Sequence, residues 1–182
     1  MVRKGVIAMR RVGVIVALGA LLSMLGGVAT AAPALAGGRG DGWQLFPFEP
    51  GTAEGSCPFG VFIDFPVNNA FQKIVTSPPG STILLLNGSL RISFTNVDTG
   101  KTITENVTGS GKAIVNPDGS LSIRQGGHLG LITLSSADAE RFGLPPLGVI
   151  GGVLFEEVAP NGTYTSVSMQ GHLLVDICAA LS

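Results

Sequence analysis

The sequence predicts an all-β fold, with a single antiparallel β-barrel as the architecture and a two-sheet β-sandwich as the alternative. Apolar and polar residues alternate with period 2, most clearly at 90–95, as they do in a strand with one buried face. Turn sequences join such segments, with Pro-Asp-Gly at 117–119 and Pro-Asn-Gly at 160–162, and these favour antiparallel hairpins. Glycine pairs at 126–127 and 151–152 are typical of the tight bends of a barrel.

Local patterns predict about nine or ten strands in chain order. A turn at 98–100 separates the strand at 90–95 from one at 101–108. Two hairpins follow, formed by the segments 112–116 and 120–125 and by the segments 153–158 and 164–171. The last strand is expected to continue to residue 178. One face should then hold Val167, Met169, Gly171, Leu173, Val175 and Ile177, and the opposite face should hold Tyr164, the polar residues and Leu174.

One segment departs from this pattern and predicts a short helix near 135–143. Ser135 and Asp138 have the spacing of a capping box, with Ser135 as the N-cap. Gly143 is the expected left-handed residue after the last turn, and two prolines that follow it prevent the helix from continuing.

Residues 37–55 are rich in glycine and proline and predict a flexible arm that leads into the β domain at 56–182. The arm holds Trp43, Phe46 and Phe48. Because exposed aromatic clusters are costly unless they are used, we favour packing of these rings onto the domain over contact with a partner.

Residues 1–36 have the three parts of a secretory signal peptide. Four basic residues precede an uncharged apolar run at 12–28, and Ala-Leu-Ala at 34–36 matches a small-residue cleavage site. The run is shorter than the roughly 20 apolar residues that span a bilayer. We therefore expect cleavage near Ala36, rather than a retained anchor, and a secreted, extracellular protein with no transmembrane segment after cleavage.

Loss of the signal peptide makes the chain more acidic. Residues 1–36 hold four of the 11 basic residues and none of the 12 acidic ones, so 146 residues remain with a net charge of −5. No run of Lys or Arg is left, and a nucleic-acid binder needs a basic footprint. The sequence therefore excludes nucleic acid as a partner.

Two cysteines, Cys57 and Cys178, lie near the two ends of the predicted domain. In an exported protein, the expected pairing of two cysteines is a disulfide. A reactive thiol is the alternative, and no C-x-x-C motif supports it.

Three features of the chain carry a resemblance to a group of known proteins. They are Gly-His-Leu-Leu-Val-Asp-Ile-Cys at 171–178, Asn-Val-Asp-Thr-Gly-Lys at 96–101, and a first cysteine just after a glycine-rich leader. With these features, the chain resembles small secreted β-rich proteins of actinobacteria over residues 57–181. The resemblance implies the β fold and the disulfide, and it implies no particular activity.

The sequence holds no motif for a metal ion or a cofactor, so we expect neither. Four titratable residues are candidates for acid–base chemistry: Glu105, His128, His172 and Asp176. Period 2 places Glu105 on the apolar face of its strand, where a carboxylate needs a partner or water. A bulge that turns it outward, or a position near the rim of the sheet, would satisfy it without any chemistry. Within a barrel lumen, Glu105 and a histidine would form a general acid–base pair. His172 and Asp176 are about 13 Å apart along a strand and form no direct pair.

Three functions remain open at this point. The sequence favours a secreted non-catalytic β domain that binds a small apolar ligand or acts at the cell surface, because charge is sparse and such folds often enclose ligands. One alternative is a small barrel enzyme that uses acid–base residues in its lumen. The other is an envelope protein-interaction module that uses the aromatic arm.

Overall fold

The computed structural model describes residues 40–77, 80–126 and 130–182. The predicted signal peptide, its cleavage site at Ala36 and the candidate His128 lie outside the described residues. Within the described part, ten strands and two short helices follow one another along the chain.

The elements have the following bounds: β1 (Gln44–Leu45), β2 (Gly51–Ala53), β3 (Val61–Ser77), β4 (Ser81–Asn96), β5 (Thr102–Asn106), β6 (Gly109–Val115), β7 (Leu121–Gly126), β8 (Gly130–Thr133), α1 (Ser136–Phe142), β9 (Leu147–Val158), β10 (Tyr164–Asp176) and α2 (Ile177–Leu181).

The ten strands form one sheet in which every pairing is antiparallel, so the predicted all-β class is confirmed. The strand order is β1-β3-β4-β6-β7-β9-β10, with β2 beside β3, β5 beside β4 and β8 beside β9. Among the described residues the pairing leaves the sheet open, so it does not amount to a closed barrel. The two predicted hairpins are present. Their turns close where the Gly119 amide donates to the Asn116 carbonyl and the Gly162 amide donates to the Ala159 carbonyl.

Three clusters of buried apolar side chains hold the sheet and helices together. The first joins β3, β4 and β9 to α2 and includes Val61, Phe94 and Ile177. The second lies on β4, β6 and β7 and includes Leu84. The third packs α1 against β8, β9 and β10 and includes Leu154. Because β4 contributes to the first two clusters, these two cores share one long strand.

Four glycines inside strands have a backbone that only glycine adopts readily. Gly88, Gly126, Gly152 and Gly171 have φ angles between 125° and 154°. A Cβ atom on any of them would lie 2.0–2.4 Å from a carbonyl oxygen of an adjacent strand. Gly152 and Gly171 are direct partners in the β9–β10 ladder. These glycines therefore permit close approach of neighbouring backbones, as expected at sharp bends of a sheet.

Helix α1 forms as the sequence predicts. The Ser135 side chain accepts from the Asp138 amide at 3.1 Å, and Gly143 has a φ of 66° in the left-handed region. The Gly143 amide donates to carbonyl groups of the last turn, so both ends of the helix are capped.

The prediction for the last strand is wrong at both of its ends and also near residue 174. There a register shift puts Leu173 and Val175, which were expected on one face, on opposite faces of the sheet. The strand ends at Asp176, whose Oδ1 accepts from the Ala179 amide at 3.0 Å and caps α2. Ile177 is buried in that helix instead of continuing the strand. At the other end, the register shifts between Tyr164 and Ser166, and Tyr164 packs against the core clusters rather than facing outward with the polar residues.

Residues 40–55, in the segment predicted as a flexible arm, contribute two short strands to the sheet. β1 and β2 both pair with β3. Phe46 is 6% exposed in the second cluster, and Phe48 stacks on Phe65 with 4.8 Å between ring centroids. Phe46 and Phe48 therefore pack onto the domain, which is the first of the two hypotheses for the aromatic residues of this segment.

The predicted disulfide is confirmed, with a bond between Cys57 and Cys178. It ties the segment after β2 to α2, across a sequence separation of 121 residues. Cys57 belongs to the first core cluster, and Cys178 packs against it.

Candidate functional site

A row of residues crosses five adjacent strands on one face of the sheet. The pairing register aligns Lys73 with Leu85, Leu85 with Lys112, Lys112 with Arg124, and Arg124 with Phe155. Directly opposed residues of antiparallel strands project from the same face. The register therefore places three of the chain's cations in one line, which we call the cationic row.

The cationic row lies on the face of the sheet that points away from the core. Its neighbours along each strand are buried in the core clusters; they are Leu84, Ala113, Ile123 and Leu154. Side chains alternate between the two faces of a strand. The row therefore faces outward, and Lys112 and Arg124 are exposed.

A groove of about 270 Å³ opens beside this row. It is lined by Trp43, by residues 85–87 of β4, by residues 110–112 of β6 and by Arg124 of β7. Trp43 comes one residue before β1, and the β1–β3 register puts it in line with Lys73. An indole ring and leucine side chains thus meet two cations and the polar side chains of Asn87 and Ser110.

The cations of the row are not neutralised by carboxylates. All 12 acidic residues fall in the described part of the chain, and none of them forms an ion pair with Lys73, Lys112 or Arg124 there. One charged group of the row has an aromatic neighbour: the Arg124 guanidinium lies 6.0 Å from the centroid of the Phe155 ring. The groove is therefore a local positive site in an acidic chain, and its chemistry suits an anion.

A second polar site lies inside the core, at Glu156 of β9. Glu156 is 2% exposed, and its Oε2 accepts from Gln125 Nε2 at 2.9 Å. Burial raises the pKa of this carboxyl to about 7, and the hydrogen bond from Gln125 offsets only part of that effect. Burial, followed by the charges of Glu156 and Asp138, also raises the pKa of Tyr164. This site can gain or lose a proton near neutral pH.

Sequence reasoning missed Glu156, although the signal was present. Leu154, Glu156 and Val158 alternate with polar or half-buried residues along β9, so period 2 places the carboxyl on an apolar face. The same argument singled out Glu105 on β5. The cationic row gave no local signal, because it depends on the register of strands that are distant in sequence.

Three of the four predicted acid–base residues, Glu105, His172 and Asp176, lie in the described part of the chain. Glu105 is half-buried, and its register with buried Ile92 puts it on the core face, as expected from period 2. His172 is exposed on β10 beside Gly151, and Asp176 caps α2. No hydrogen bond connects Glu105, His172 and Asp176 to one another within the described residues. The acid–base mechanism therefore stays a prediction.

In the described ranges, no three His, Cys, Asp or Glu side chains are placed to hold a metal ion together. None of the helices described there has the length and apolar character needed to cross a membrane. Comparison of the chain with protein-family models, with curated proteins and with solved structures found no match.

Proposed function

We propose that this protein is a secreted, non-catalytic β domain, with its sheet curled towards a barrel, that binds a small amphipathic anion in the groove beside Trp43. The observation that carries the proposal is the cationic row. Within the described residues Lys112 and Arg124 form no ion pair, and they lie on the solvent face next to an indole ring and Leu85. An unpaired cationic cluster beside an apolar surface matches a ligand that has an apolar body and a negative head group.

The geometry of the row limits the head group. Lys112 and Arg124 are direct cross-strand partners, and their Cβ atoms are therefore about 5 Å apart. Both side chains can reach one carboxylate, sulfate or phosphate, and the guanidinium can donate two parallel hydrogen bonds to it. Lys73 lies two strands from Lys112, about 10 Å away, and adds positive potential without reaching the same oxygen atoms.

The size of the groove limits the apolar body of the ligand. Its volume of about 270 Å³ is slightly below the usual range of roughly 300–1,000 Å³ for small-molecule sites. The groove also opens to solvent. The proposed ligand is thus small, packs one side on Trp43 and Leu85, and keeps its other side in water.

Titration of octanoate against the fluorescence of Trp43 tests the proposal. Trp43 is the only tryptophan of the chain, so its emission reports on the groove alone. Octanoate and 1-octanol share an alkyl chain and differ in charge. We expect octanoate to bind about 10- to 100-fold more tightly than 1-octanol, since a charge-assisted hydrogen bond contributes about 1.5–3 kcal/mol. This preference should shrink as salt is added.

Two variants locate the anion. Lys112→Gln combined with Arg124→Gln should abolish the preference for octanoate and leave the affinity for 1-octanol unchanged. Arg91→Gln is the matched control, because Arg91 is exposed on the same strand as Leu85, six residues and about 20 Å away. The proposal fails if octanoate leaves the Trp43 emission unchanged up to millimolar concentrations, or if the double variant and the control lose affinity equally.

A further inference from the structure

β10 is the longest free edge of the sheet. It has 13 residues and pairs with β9 alone among the described strands. The other strands with a single neighbour are β1, β2, β5 and β8, which have two to five residues each. A long free edge presents a row of unpaired backbone donors and acceptors, and it is a template for another strand.

This edge lacks the side chains that usually block strand addition. From Tyr164 to Val175 the strand has no proline and no Asp, Glu, Lys or Arg. Leu173 is 40% exposed and Leu174 is 46% exposed. Natural edge strands are normally protected by charges, prolines or bulges. Here the register shifts come only at the two ends of the strand. Between them, residues 166–173 pair with β9 without a shift in register, and the bend at Gly171 lies inside this segment.

We propose that two copies of this chain pair through the 166–173 segment of β10, antiparallel and about a two-fold axis, so that two sheets become one. The occupant is a second copy because an uncharged segment lets two acidic chains meet without like-charge repulsion at the contact. An antiparallel edge is also complementary to itself, and a two-fold axis closes the assembly at two copies. Pairing at this edge would shield Leu173 and Leu174 from water.

The alternation of side chains limits which residues of the two β10 strands can lie opposite each other. An axis perpendicular to the sheet keeps each face continuous, so opposed residues must share a face. One residue is then opposed to its own copy, and the axis passes midway between the two. The residues at the middle of the segment are Met169 and Gln170. Gln170 is exposed, and in either register the two Gln170 side chains lie on the same face close to the axis.

Sedimentation equilibrium of the exported protein with its disulfide intact tests this arrangement. We expect a mass of two chains at about 100 µM, falling to one chain on dilution. Gln170→Lys would place two like charges near the axis and should give one chain at all concentrations. Ser89→Lys is the control, because Ser89 is exposed on β4 inside the sheet, and it should behave as the unchanged protein.

Three results would overturn the proposal. The first is a single-chain mass for the unchanged protein at 100 µM, which leaves the edge to another occupant. The second is a mass above two chains, which contradicts the closed two-fold pair. The third is a Gln170→Lys variant that remains a dimer. A urea unfolding midpoint equal to that of the unchanged protein establishes that a single-chain Gln170→Lys variant is folded.

Discussion

The free energy of unfolding of this protein should fall as the pH rises, and replacing Glu156 with glutamine should prevent that fall. The carboxyl is 2% exposed, and burial raises its pKa from the ordinary value of 4.5 to about 7. The folded state therefore holds this proton more tightly than the unfolded state does. The stabilisation is complete below about pH 4.5 and is lost as the pH rises to about 7.

The magnitude follows from the width of that pH range. Each pH unit between the two pKa values is worth about 1.4 kcal/mol, so the whole range is worth about 3 kcal/mol. Glutamine keeps the shape of the protonated acid and still offers an oxygen to Gln125 Nε2. Its amide does not titrate, so the variant should retain at pH 8 the stability that the unchanged protein loses.

Urea unfolding at pH 4.5 and at pH 8 measures this difference. Between those pH values, Glu156→Gln should lose about 3 kcal/mol less stability than the unchanged protein. Any constant cost of burying the amide cancels, because each protein is compared with itself. Glu157→Gln is the control, since that neighbouring carboxylate is exposed and accepts from Ser122 Oγ at 2.7 Å. If both variants follow the pH profile of the unchanged protein, the buried carboxyl does not control stability.

Two further predictions concern the effect of the disulfide and of a strand glycine on the free energy of unfolding. Removing the disulfide with Cys57→Ala and Cys178→Ala should lower the free energy of unfolding by about 4–5 kcal/mol, from the entropy of a loop of 121 residues; a loss below about 1 kcal/mol in urea would contradict it. Gly88→Ala should cost at least about 3 kcal/mol, because its Cβ would lie 2.1 Å from the Asn69 carbonyl oxygen. Gly51→Ala, with no atom within 4 Å of the new Cβ, should stay within about 0.5 kcal/mol in the same assay, and equal losses in both would refute the steric argument.

The sequence predicted those elements whose structure is decided locally. The turns at 117–119 and 160–162 need only their own residues to reverse the chain, and helix α1 is defined by Ser135, Asp138 and Gly143. The end of the last strand was mispredicted because apolar alternation at 175–178 is compatible with either a strand or a helix. The Asp176 side chain and the burial of Ile177 in the core decide for the helix.

Features that depend on distant strands could not be predicted from the sequence. The segment from 40 to 55 looked like an arm because β1 and β2 have two and three residues. Their pairing with β3 is a tertiary property. The cationic row likewise needs the register from Lys73 to Arg124 across three ladders. Glu105, the carboxyl singled out from sequence, and Glu156, the one that burial perturbs, fit the same alternation rule, and only packing separates them.

The positions of the two cysteines determine when the disulfide can form during synthesis of this protein. Cys57 leaves the ribosome before β3, whereas Cys178 follows β10, the last strand. The bond therefore cannot close until every strand between the two cysteines has been synthesised. An electrophoretic assay of the oxidised form therefore counts molecules in which every strand from β3 to β10 has been synthesised.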